Sequence, residues 1–252
     1  MVSELRKEVI LETLNTKGIL YTNDIMKKCN VSEITIRRDL SELETKGLLI
    51  RTHGGAIKSK TFDHLFTYDL KINQNKHNKE AICQLAASYI SDNDIIFIDC
   101  GTTLSLLTQY ITSLNLTVIT NSLPVISDLI KYPNIRLSII GGEIASERQA
   151  VYGPLAEIHI GYYHATKAFI GADGISLLHG LSSYDEKEGA ITCKMIENTD
   201  EVFLLCDSSK IEKNSYVRFA PLSKVHHLIT DGGISKKYID KYIGASIDII
   251  TG

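Results

Sequence analysis

The sequence predicts an α/β protein: a small, mainly helical amino-terminal domain followed by a larger α/β domain built on a parallel sheet. Two observations support this: apolar residues follow helical spacing in the first 58 residues, and from residue 79 short apolar runs alternate with helical patterns. A chain of 252 residues suits one large domain or two unequal ones. We therefore expect domains at 1–58 and 79–252, joined by a polar connecting segment at 59–78.

The composition is typical of a folded globular protein and excludes several classes. Apolar residues make up 44% and charged residues 23% of the chain, which argues against a disordered or fibrous protein. No run approaches the ~18 apolar residues of a membrane span, and the charged amino terminus has no apolar signal core, so we expect a cytoplasmic location. The scattered cysteines form no CxxC pair and the histidines lack metal-ligand spacing, so we expect reduced thiols, no metal and no cofactor.

The first 58 residues are typical of three helices followed by a hairpin. In the first helix we expect Leu5, Val9 and either Ile10 or Leu14 on the apolar face, because they recur at helical spacing. Thr22 is positioned to cap a short second helix. Residues 1–58 carry 10 basic and 8 acidic residues, a weak basic excess that hints at a polyanionic partner.

A third helix and two short strands complete this domain. Ser32 is positioned to cap the helix and Gly47 to end it. Its apolar stripe follows i, i+4, i+7 spacing and consists of Ile36, Leu40 and Leu43. The runs LLIRT and HGGAI then predict two strands around a turn. Two helices, a tight turn and a capped third helix match a helix-turn-helix, and the hairpin tip suits a wing.

A helix-turn-helix places the amino-terminal part of its last helix in the DNA major groove. At about 100° per residue, the face opposite the apolar stripe carries Ile34, Thr35, Arg38 and Ser41. Arginine can bind guanine or phosphate, and isoleucine can contact a thymine methyl group. The candidate DNA-binding residues are Ser32, Ile34, Thr35, Arg37, Arg38, Arg51 and His53. In the alternative interpretation the two adjacent arginines are only a solvated face of a small helical unit.

The larger domain shows seven β-rich runs separated by helical patterns. We expect strands at 94–99, 116–120, 135–140, 167–171, 201–206, 226–230 and 247–251. We expect helices at 79–90, 103–112, 124–131, 154–163, 186–198 and 235–243. Continuous apolar strands that alternate with helices predict a largely parallel sheet covered on both faces.

Polar or glycine-rich loops follow three of these strands, and ligands collect at the carboxyl ends of parallel strands. Thr102 and Thr103 begin a helix, where backbone N–H groups and the dipole favour an anion. This pattern predicts a phosphorylated ligand, whose other end would meet carboxylates. The candidate effector-binding residues are Asp99, Gly101, Thr102, Thr103, Asn121, Ser122, Gly141, Gly142, Asp173 and Lys210. The alternative is a set of ordinary α/β loops rich in turn formers and caps.

A resemblance to a known family becomes specific at this point. The string VSEITIRRDLSELETKGLLIRTHGGAI (31–57) resembles the amino-terminal signature of the DeoR family of bacterial transcriptional regulators. The similarity continues through DCGTTLSLL (99–107), VITNSLPV (118–125), IIGGE (139–143), GPLAE (153–157), KAFIGADGI (167–175), LLCDSSK (204–210) and LITDGGI (228–234). The resemblance implies a winged helix-turn-helix and a sugar-phosphate-sensing domain similar in fold to ribose-5-phosphate isomerase. It also implies that Thr102 and Thr103 cradle phosphate, with Asp173 and Lys210 near the sugar.

The chain departs from the family pattern in one segment. Ser182-Ser183-Tyr184 stands where the family often has Thr-Thr-Pro, and Thr192 stands where a lysine commonly follows the acidic stretch. Lys194 is displaced from that position by two residues, which turns it to another helix face. Ligand contacts from this helix are therefore doubtful, whereas Asn75 and Lys79 upstream fit the pattern.

These observations together predict a cytoplasmic DNA-binding transcriptional regulator with no enzymatic activity. We expect a repressor of a carbohydrate uptake or catabolic operon that a phosphorylated sugar releases from double-stranded operator DNA. One recognition helix per chain gives limited affinity, so we expect a homo-oligomer. The alternative is a sugar-phosphate isomerase with an appended small domain, in which Glu186 or Glu188 would be the base. Activation instead of repression is a third possibility.

Overall fold

The structure is a computed structural model that describes residues 3–45, 47–59, 68 and 71–252. The chain divides into two compact units, Met1–Lys71 and Ile72–Gly252. The expected boundaries 1–58, 59–78 and 79–252 remain a prediction, although a helix begins at Lys76, inside the segment expected to be a linker. Within the described residues no helix is long and apolar enough to cross a membrane.

The amino-terminal unit consists of three helices and a small antiparallel sheet. Its elements are α1 (Ser3–Lys17), β1 (Ile19–Tyr21), α2 (Thr22–Cys29), α3 (Glu33–Thr45), β2 (Leu49–Thr52) and β3 (Gly55–Lys58). The sheet order is β1-β3-β2, so the expected hairpin of β2 and β3 gains a third strand that the sequence analysis did not predict. β1 has three residues, too few for a periodic apolar pattern to be visible.

Two expectations for the first helices are wrong. Thr22 does not cap α2: it is the first helical residue, and Tyr21 before it makes no capping bond with its side chain. Leu5 is 54% exposed, because the first turn of α1 turns Arg6 inward instead. By contrast, Ser32 caps α3 as expected, and the backbone N–H of Thr35 donates to its Oγ at 3.4 Å.

A buried ion pair joins α1 to α3. Arg6 Nε donates to Asp39 Oδ2 at 2.7 Å and Arg6 Nη2 donates to Asp39 Oδ1 at 3.0 Å. Asp39 is fully buried and lies beside Leu40 of the apolar stripe. Such a bidentate pair fixes the relative orientation of two helices, because either charge would be costly to bury alone.

The carboxy-terminal unit is built on a seven-stranded, all-parallel sheet. Its strands are β4 (Ile95–Ile98), β5 (Leu116–Thr120), β6 (Ile135–Ile139), β9 (Ala165–Ile170), β12 (Thr199–Leu205), β14 (His227–Thr230) and β15 (Asp248–Thr251). All seven runs expected from the sequence form strands of this sheet. The spatial order is β15-β14-β12-β9-β4-β5-β6, and the register of every neighbouring pair is parallel.

Six helices in the described part of this unit cover both faces of the sheet. They are α4 (Lys76–Ala87), α5 (Thr102–Ile111), α6 (Leu123–Leu129), α7 (Pro154–Ile160), α8 (Glu186–Glu197) and α9 (Lys236–Gly244). One core contains apolar residues of α4, α5 and α6, and a second core contains those of α7, α8 and α9. Each of these helices lies within a few residues of its expected position. The strands between them could be located because a strand buried on both faces is a continuous apolar run.

Two smaller antiparallel sheets were not predicted. β7 (Glu143–Ala145) pairs with β8 (Ala150–Tyr152), and the order β10-β11-β13 joins Gly174–Ser176, Gly180–Ser183 and Val217–Ala220. These strands have three or four residues, and β10 and β11 include glycine, which is depleted in strands. The two small sheets bear on the search for a ligand site, because both lie beside the carboxyl ends of the central strands.

The strand order reverses between β4 and β9. From β4 the chain adds β5 and β6 on one side, and then β9, β12, β14 and β15 on the other. In open α/β sheets such a reversal leaves a crevice at the carboxyl ends of the two strands, where ligands bind. The segments that follow β4 and β9 therefore mark the place to examine for a ligand site.

Candidate DNA-reading surface and ligand site

The exposed face of α3 carries the residues predicted to contact DNA. Ile34 is 81% exposed, although it is a large apolar residue, and Thr35 is partly exposed. Ile36, Leu40 and Leu43 are buried on the opposite face, as helical spacing predicts. The structure thus places these residues on one surface, while their contact with DNA remains a prediction.

The arginines of this surface are held by exposed carboxylates. Arg37 Nη2 lies 2.7 Å from Glu33 Oε1 one turn earlier, and Arg38 Nε lies 3.7 Å from Glu42 Oε1 one turn later. The two guanidinium side chains are 60% and 70% exposed. Exposed pairs of this kind contribute little stability, so either arginine can exchange its carboxylate for a DNA phosphate or base at low cost.

The hairpin β2–β3 brings a second set of predicted residues close to α3. Arg51, Thr52 and His53 line a concavity of about 550 Å³ together with Arg37. The backbone N–H of Arg51 donates to Glu44 Oε1 at 3.0 Å, which fixes the hairpin against the end of α3. Two arginines from different elements thus face one opening, a charge arrangement that suits a phosphate group.

In the carboxy-terminal unit, Asp99 is buried directly after β4. Its Oδ1 accepts from the Cys100 N–H at 2.7 Å, and its Oδ2 accepts from the Thr192 hydroxyl at 2.8 Å. Burial raises the pKa of Asp99 to about 7, and the nearby negative charge of Glu188 adds to this shift. Thr192 therefore takes part in the site from the helix whose ligand contacts the sequence left in doubt.

The amino terminus of α5 follows Asp99 and has the features of an anion site. Gly101 has φ 124°, a conformation that favours glycine, and it turns the chain into the helix. Thr102 and Thr103 are buried at the first two helical positions. Lys79 Nζ, also buried, donates to Thr102 Oγ1 at 2.9 Å. The start of α5 thus combines threonine hydroxyls and the N–H groups of a helix terminus with an ammonium group.

After β9, Asp173 joins a cluster that contains an arginine missed by the sequence analysis. Arg148 Nη2 lies 3.0 Å from Glu188 Oε2 and 3.4 Å from Asp173 Oδ2. Burial opposes the positive charge of Arg148, but Glu188 and Asp173 outweigh it and raise its pKa. Asp173 Oδ2 also accepts from the Tyr184 N–H at 3.1 Å. Arg148 comes from the turn between β7 and β8, which no local pattern marked.

Lys210 lies beside the same strand end. Its Nζ donates to the carbonyl of Ala172, the residue before Asp173, at 2.8 Å. Asn75 Nδ2 donates to Asp207 Oδ1 at 3.4 Å, so the start of α4 is tied to the segment after β12. The predicted residues Asp99, Thr102, Asp173 and Lys210 are thus gathered along one edge of the sheet.

The remaining predicted residues have internal partners. Ser122 caps α6 by accepting from the Val125 N–H at 3.5 Å, and the Gly141 N–H donates to His159 Nδ1 at 3.1 Å. A Cβ at Gly142 would lie 2.6 Å from a backbone oxygen, so this glycine is required by packing. Asn121 is fully buried, and its Oδ1 has no hydrogen-bond partner among the described residues.

The two carboxylates named for an isomerase differ in position. Glu186 is exposed, whereas Glu188 faces Arg148 and lies near Asp99. Within the described residues, no group of three or more His, Cys, Asp or Glu could hold a metal ion. The candidate site has hydroxyl, N–H and ammonium groups at the start of α5 and carboxylates around Arg148.

Comparison with known proteins identifies the family. The model described as DeoR-like helix-turn-helix domain matches residues 6–62, and the model described as DeoR C terminal sensor domain matches residues 74–232. Among solved structures, ribose 5-phosphate isomerase A from Methanocaldococcus jannaschii matches with a TM-score of 0.41 and 19% identity, covering 54% of this chain and 55% of that chain.

Curated relatives align over almost the whole chain. The L-fucose operon activator of Haemophilus influenzae is 32% identical, covering 94% of this chain and 96% of that protein. The transcriptional repressor GlcR of Bacillus subtilis is 34% identical, covering 92% of this chain and 89% of that protein. The lactose phosphotransferase system repressor of Streptococcus mutans is 35% identical, covering 92% of this chain and 93% of that protein. The chain belongs to the DeoR family and is a DNA-binding transcriptional regulator.

Proposed function

We propose that this regulator represses a carbohydrate operon and that a phosphorylated sugar releases it from its operator. Two of the relatives reported above are named as repressors, one of them of a lactose phosphotransferase system, and a third is named as an operon activator. The observation that carries the sugar-phosphate assignment is the polarity of the candidate site, which is cationic and amide-rich at one end and acidic at the other.

At the anion-binding end, the phosphate would lie against the start of α5. The N–H groups of Thr102 and Thr103, both hydroxyls and the Lys79 ammonium would replace water around its oxygens. At the other end, Asp99 and Asp173 would accept hydrogen bonds from sugar hydroxyls. Carboxylates suit this role because each oxygen accepts more than one bond.

Binding at this site must alter the affinity for DNA if the protein is a sensor. Thermodynamic linkage then requires operator DNA to weaken effector binding by the same factor as the effector weakens operator binding. We propose that the protein works as a cytoplasmic homo-oligomer, since two recognition helices on one pseudo-palindromic operator bind more tightly than one.

The test is a titration of the protein bound to its own promoter fragment with a panel of sugar phosphates. One of them should release the protein, and the double variant Thr102→Val, Thr103→Val should bind the same fragment but no longer respond. The matched control is Thr117→Val, a substitution near the amino end of β5 and so away from the carboxyl edge of the sheet. A double variant that responds like the wild type would contradict the phosphate assignment.

We further propose that the protein is not an enzyme. An isomerase needs a carboxylate base poised over a sugar carbon, and Glu188 instead contacts the guanidinium of Arg148. The full chain should therefore leave pentose and hexose phosphates unchanged in a coupled isomerase assay. Turnover that disappears in Glu188→Gln would favour the isomerase alternative.

A further inference from the structure

The carboxy-terminal unit has an apolar surface that takes no part in the DNA-reading surface or in the proposed ligand site. Leu155, Ile158 and Tyr162 are 72%, 60% and 80% exposed, and together they form what we call the outer face of α7. We propose that this face binds the same face of a second copy of the chain. This inference rests on the proposed function, in which the protein is a homo-oligomer, and it names the surface that holds the copies together.

The three side chains form one continuous stripe. They are separated by three and four residues, the spacing that places side chains on one face of a helix. α7 itself ends at Ile160, but the N–H of Tyr162 donates to the His159 carbonyl at 3.2 Å, so the helical turn continues to this tyrosine. Single exposed apolar residues are normal, whereas a contiguous apolar stripe is typical of an interaction site.

The opposite side of α7 is also apolar. Ala156 and Ile160 are fully buried in the core that α7 shares with α8 and α9. A helix at the surface of a protein has one apolar and one polar face, whereas a helix that is apolar on both sides belongs in an interior. Among the described residues the outer face has no such cover. The pattern therefore indicates that another molecule supplies it.

A groove lies beside the outer face, between α7 and the end of α8. Its volume is about 610 Å³, which is large enough to admit an aromatic side chain. Pro154, Ile158 and Gly161 line it from α7, and Lys194 and Asn198 line it from the end of α8. Because Ile158 belongs to both the groove and the outer face, the projecting tyrosine and the groove are parts of one surface.

The features of this surface favour a second copy as the partner. A two-fold contact brings identical patches together, so each patch must offer both a projecting group and a place to receive it. The groove also carries both signs of charge: Lys194 Nζ lies 2.6 Å from Glu197 Oε2, and Glu157 is a further carboxylate of its lining. A two-fold axis can bring a glutamate of one copy to the lysine of the other. A partner of a single strong charge would find no matching field here.

The area of the outer face suits the centre of a stable contact. Its three side chains expose roughly 400–500 Å² of mostly apolar surface, more than half of the ~800 Å² that each partner buries in a standard interface. The groove residues surround this centre with polar groups, as the rim of an interface does. A two-fold contact of this kind would also bring two DNA-reading units into one complex.

The experiment is sedimentation velocity of the full chain over a range of micromolar concentrations. We expect the wild type to associate, and we expect Ile158→Glu and Tyr162→Glu each to lower the oligomer by one step, from tetramer to dimer or from dimer to monomer. Each substitution occurs twice in a two-fold contact, so the dissociation constant should rise at least about tenfold. An oligomer that neither variant changes would overturn the inference and assign the outer face to a different partner.

The matched control is Leu178→Glu, which places the same charge on another exposed leucine. Leu178 is 79% exposed and lies in the turn between β10 and β11. This variant should associate like the wild type, and equal dissociation in it would contradict a contact through α7. Circular dichroism shows whether each variant is folded. Should Ile158→Glu be unfolded, Tyr162→Ser takes its place with the same expected dissociation, because it removes the most exposed side chain of the stripe.

The inference and the proposed function fail in different ways. A wild type that is monomeric at every concentration would overturn the α7 contact together with the homo-oligomer of the proposed function. The promoter titration with sugar phosphates would still decide the regulatory part of that function. Conversely, a protein that no sugar phosphate releases from DNA, but that Ile158→Glu dissociates, would contradict the effector proposal and support the contact through α7.

Discussion

The two units of the chain use arginine in opposite ways. In the amino-terminal unit, Arg37 and Arg38 are mostly exposed and each pairs with a carboxylate one helical turn away. In the carboxy-terminal unit, Arg148 is only 14% exposed and lies between two carboxylates from distant parts of the chain. A surface that binds DNA needs guanidinium groups that exchange partners easily, whereas a pocket that selects one ligand needs charges fixed in place.

The ion pair between Arg6 and Asp39 is the exception in the amino-terminal unit, and its removal should have the largest effect. Asp39→Ala leaves the Arg6 guanidinium buried without this carboxylate, so we expect a loss of about 3–5 kcal/mol in the free energy of unfolding. Urea denaturation followed by circular dichroism measures it. A loss below 1 kcal/mol, at about the level of an exposed pair, would show that the pair is dispensable.

The next effect concerns the exposed arginines themselves. If Arg38 contacts a base, Arg38→Ala should cost ~1–3 kcal/mol of operator affinity and relax sequence preference, because base contacts carry specificity. Arg37→Ala, as a phosphate contact, should weaken operator and unrelated DNA alike and reduce the salt dependence of binding. Fluorescence anisotropy with both DNA fragments distinguishes these outcomes. Unchanged affinity and selectivity in Arg38→Ala would remove this residue from the recognition surface.

A pH titration examines the buried charges of the other unit. The pKa of Asp99 is raised to about 7 in the folded protein, so the folded state holds this proton more tightly than the unfolded state. The resulting stability is present at low pH and is lost as the pH rises through about 7, by roughly 1 kcal/mol between about pH 6 and pH 8. Asp99→Asn should abolish that part of the pH dependence. Parallel pH profiles of the two proteins would contradict it.

The smallest effect should come from an exposed carboxylate. Glu33→Gln removes the partner of Arg37, and we expect a change of less than about 0.5 kcal/mol in the free energy of unfolding. The same variant should bind DNA at least as tightly as the wild type, since a negative charge next to the phosphates is gone. Weaker binding would mean that Glu33 orients Arg37 for DNA.

The central sheet could be predicted from the sequence because each of its strands is a short apolar run of its own. Nothing comparable marked β1, β7 or β10, which have three residues each. β1 also pairs with a strand far along the chain, since Ile19 lies opposite Ile57. Asp39 shows the same limit for a helix. The sequence analysis did not single it out, because its partner Arg6 lies 33 residues away.

The candidate site divides in the same way. Asp99, Thr102 and Asp173 could be predicted because strand ends and helix starts are readable from local sequence. Arg148 could not be predicted, because it lies in the turn between β7 and β8 and its partner Glu188 lies far along the chain. Thr192 meets Asp99 across 93 residues, so its contribution is a property of the packed structure and not of any local pattern.

The crevice between β4 and β9 has a consequence for newly made protein. The groups of the proposed ligand site come from segments as far apart as Lys79 and Lys210, so that site is incomplete until well over half of this unit has left the ribosome. The amino-terminal unit is translated first, and domains generally fold as units in the order of synthesis. Each nascent chain therefore acquires a folded DNA-reading unit before it can sense any sugar.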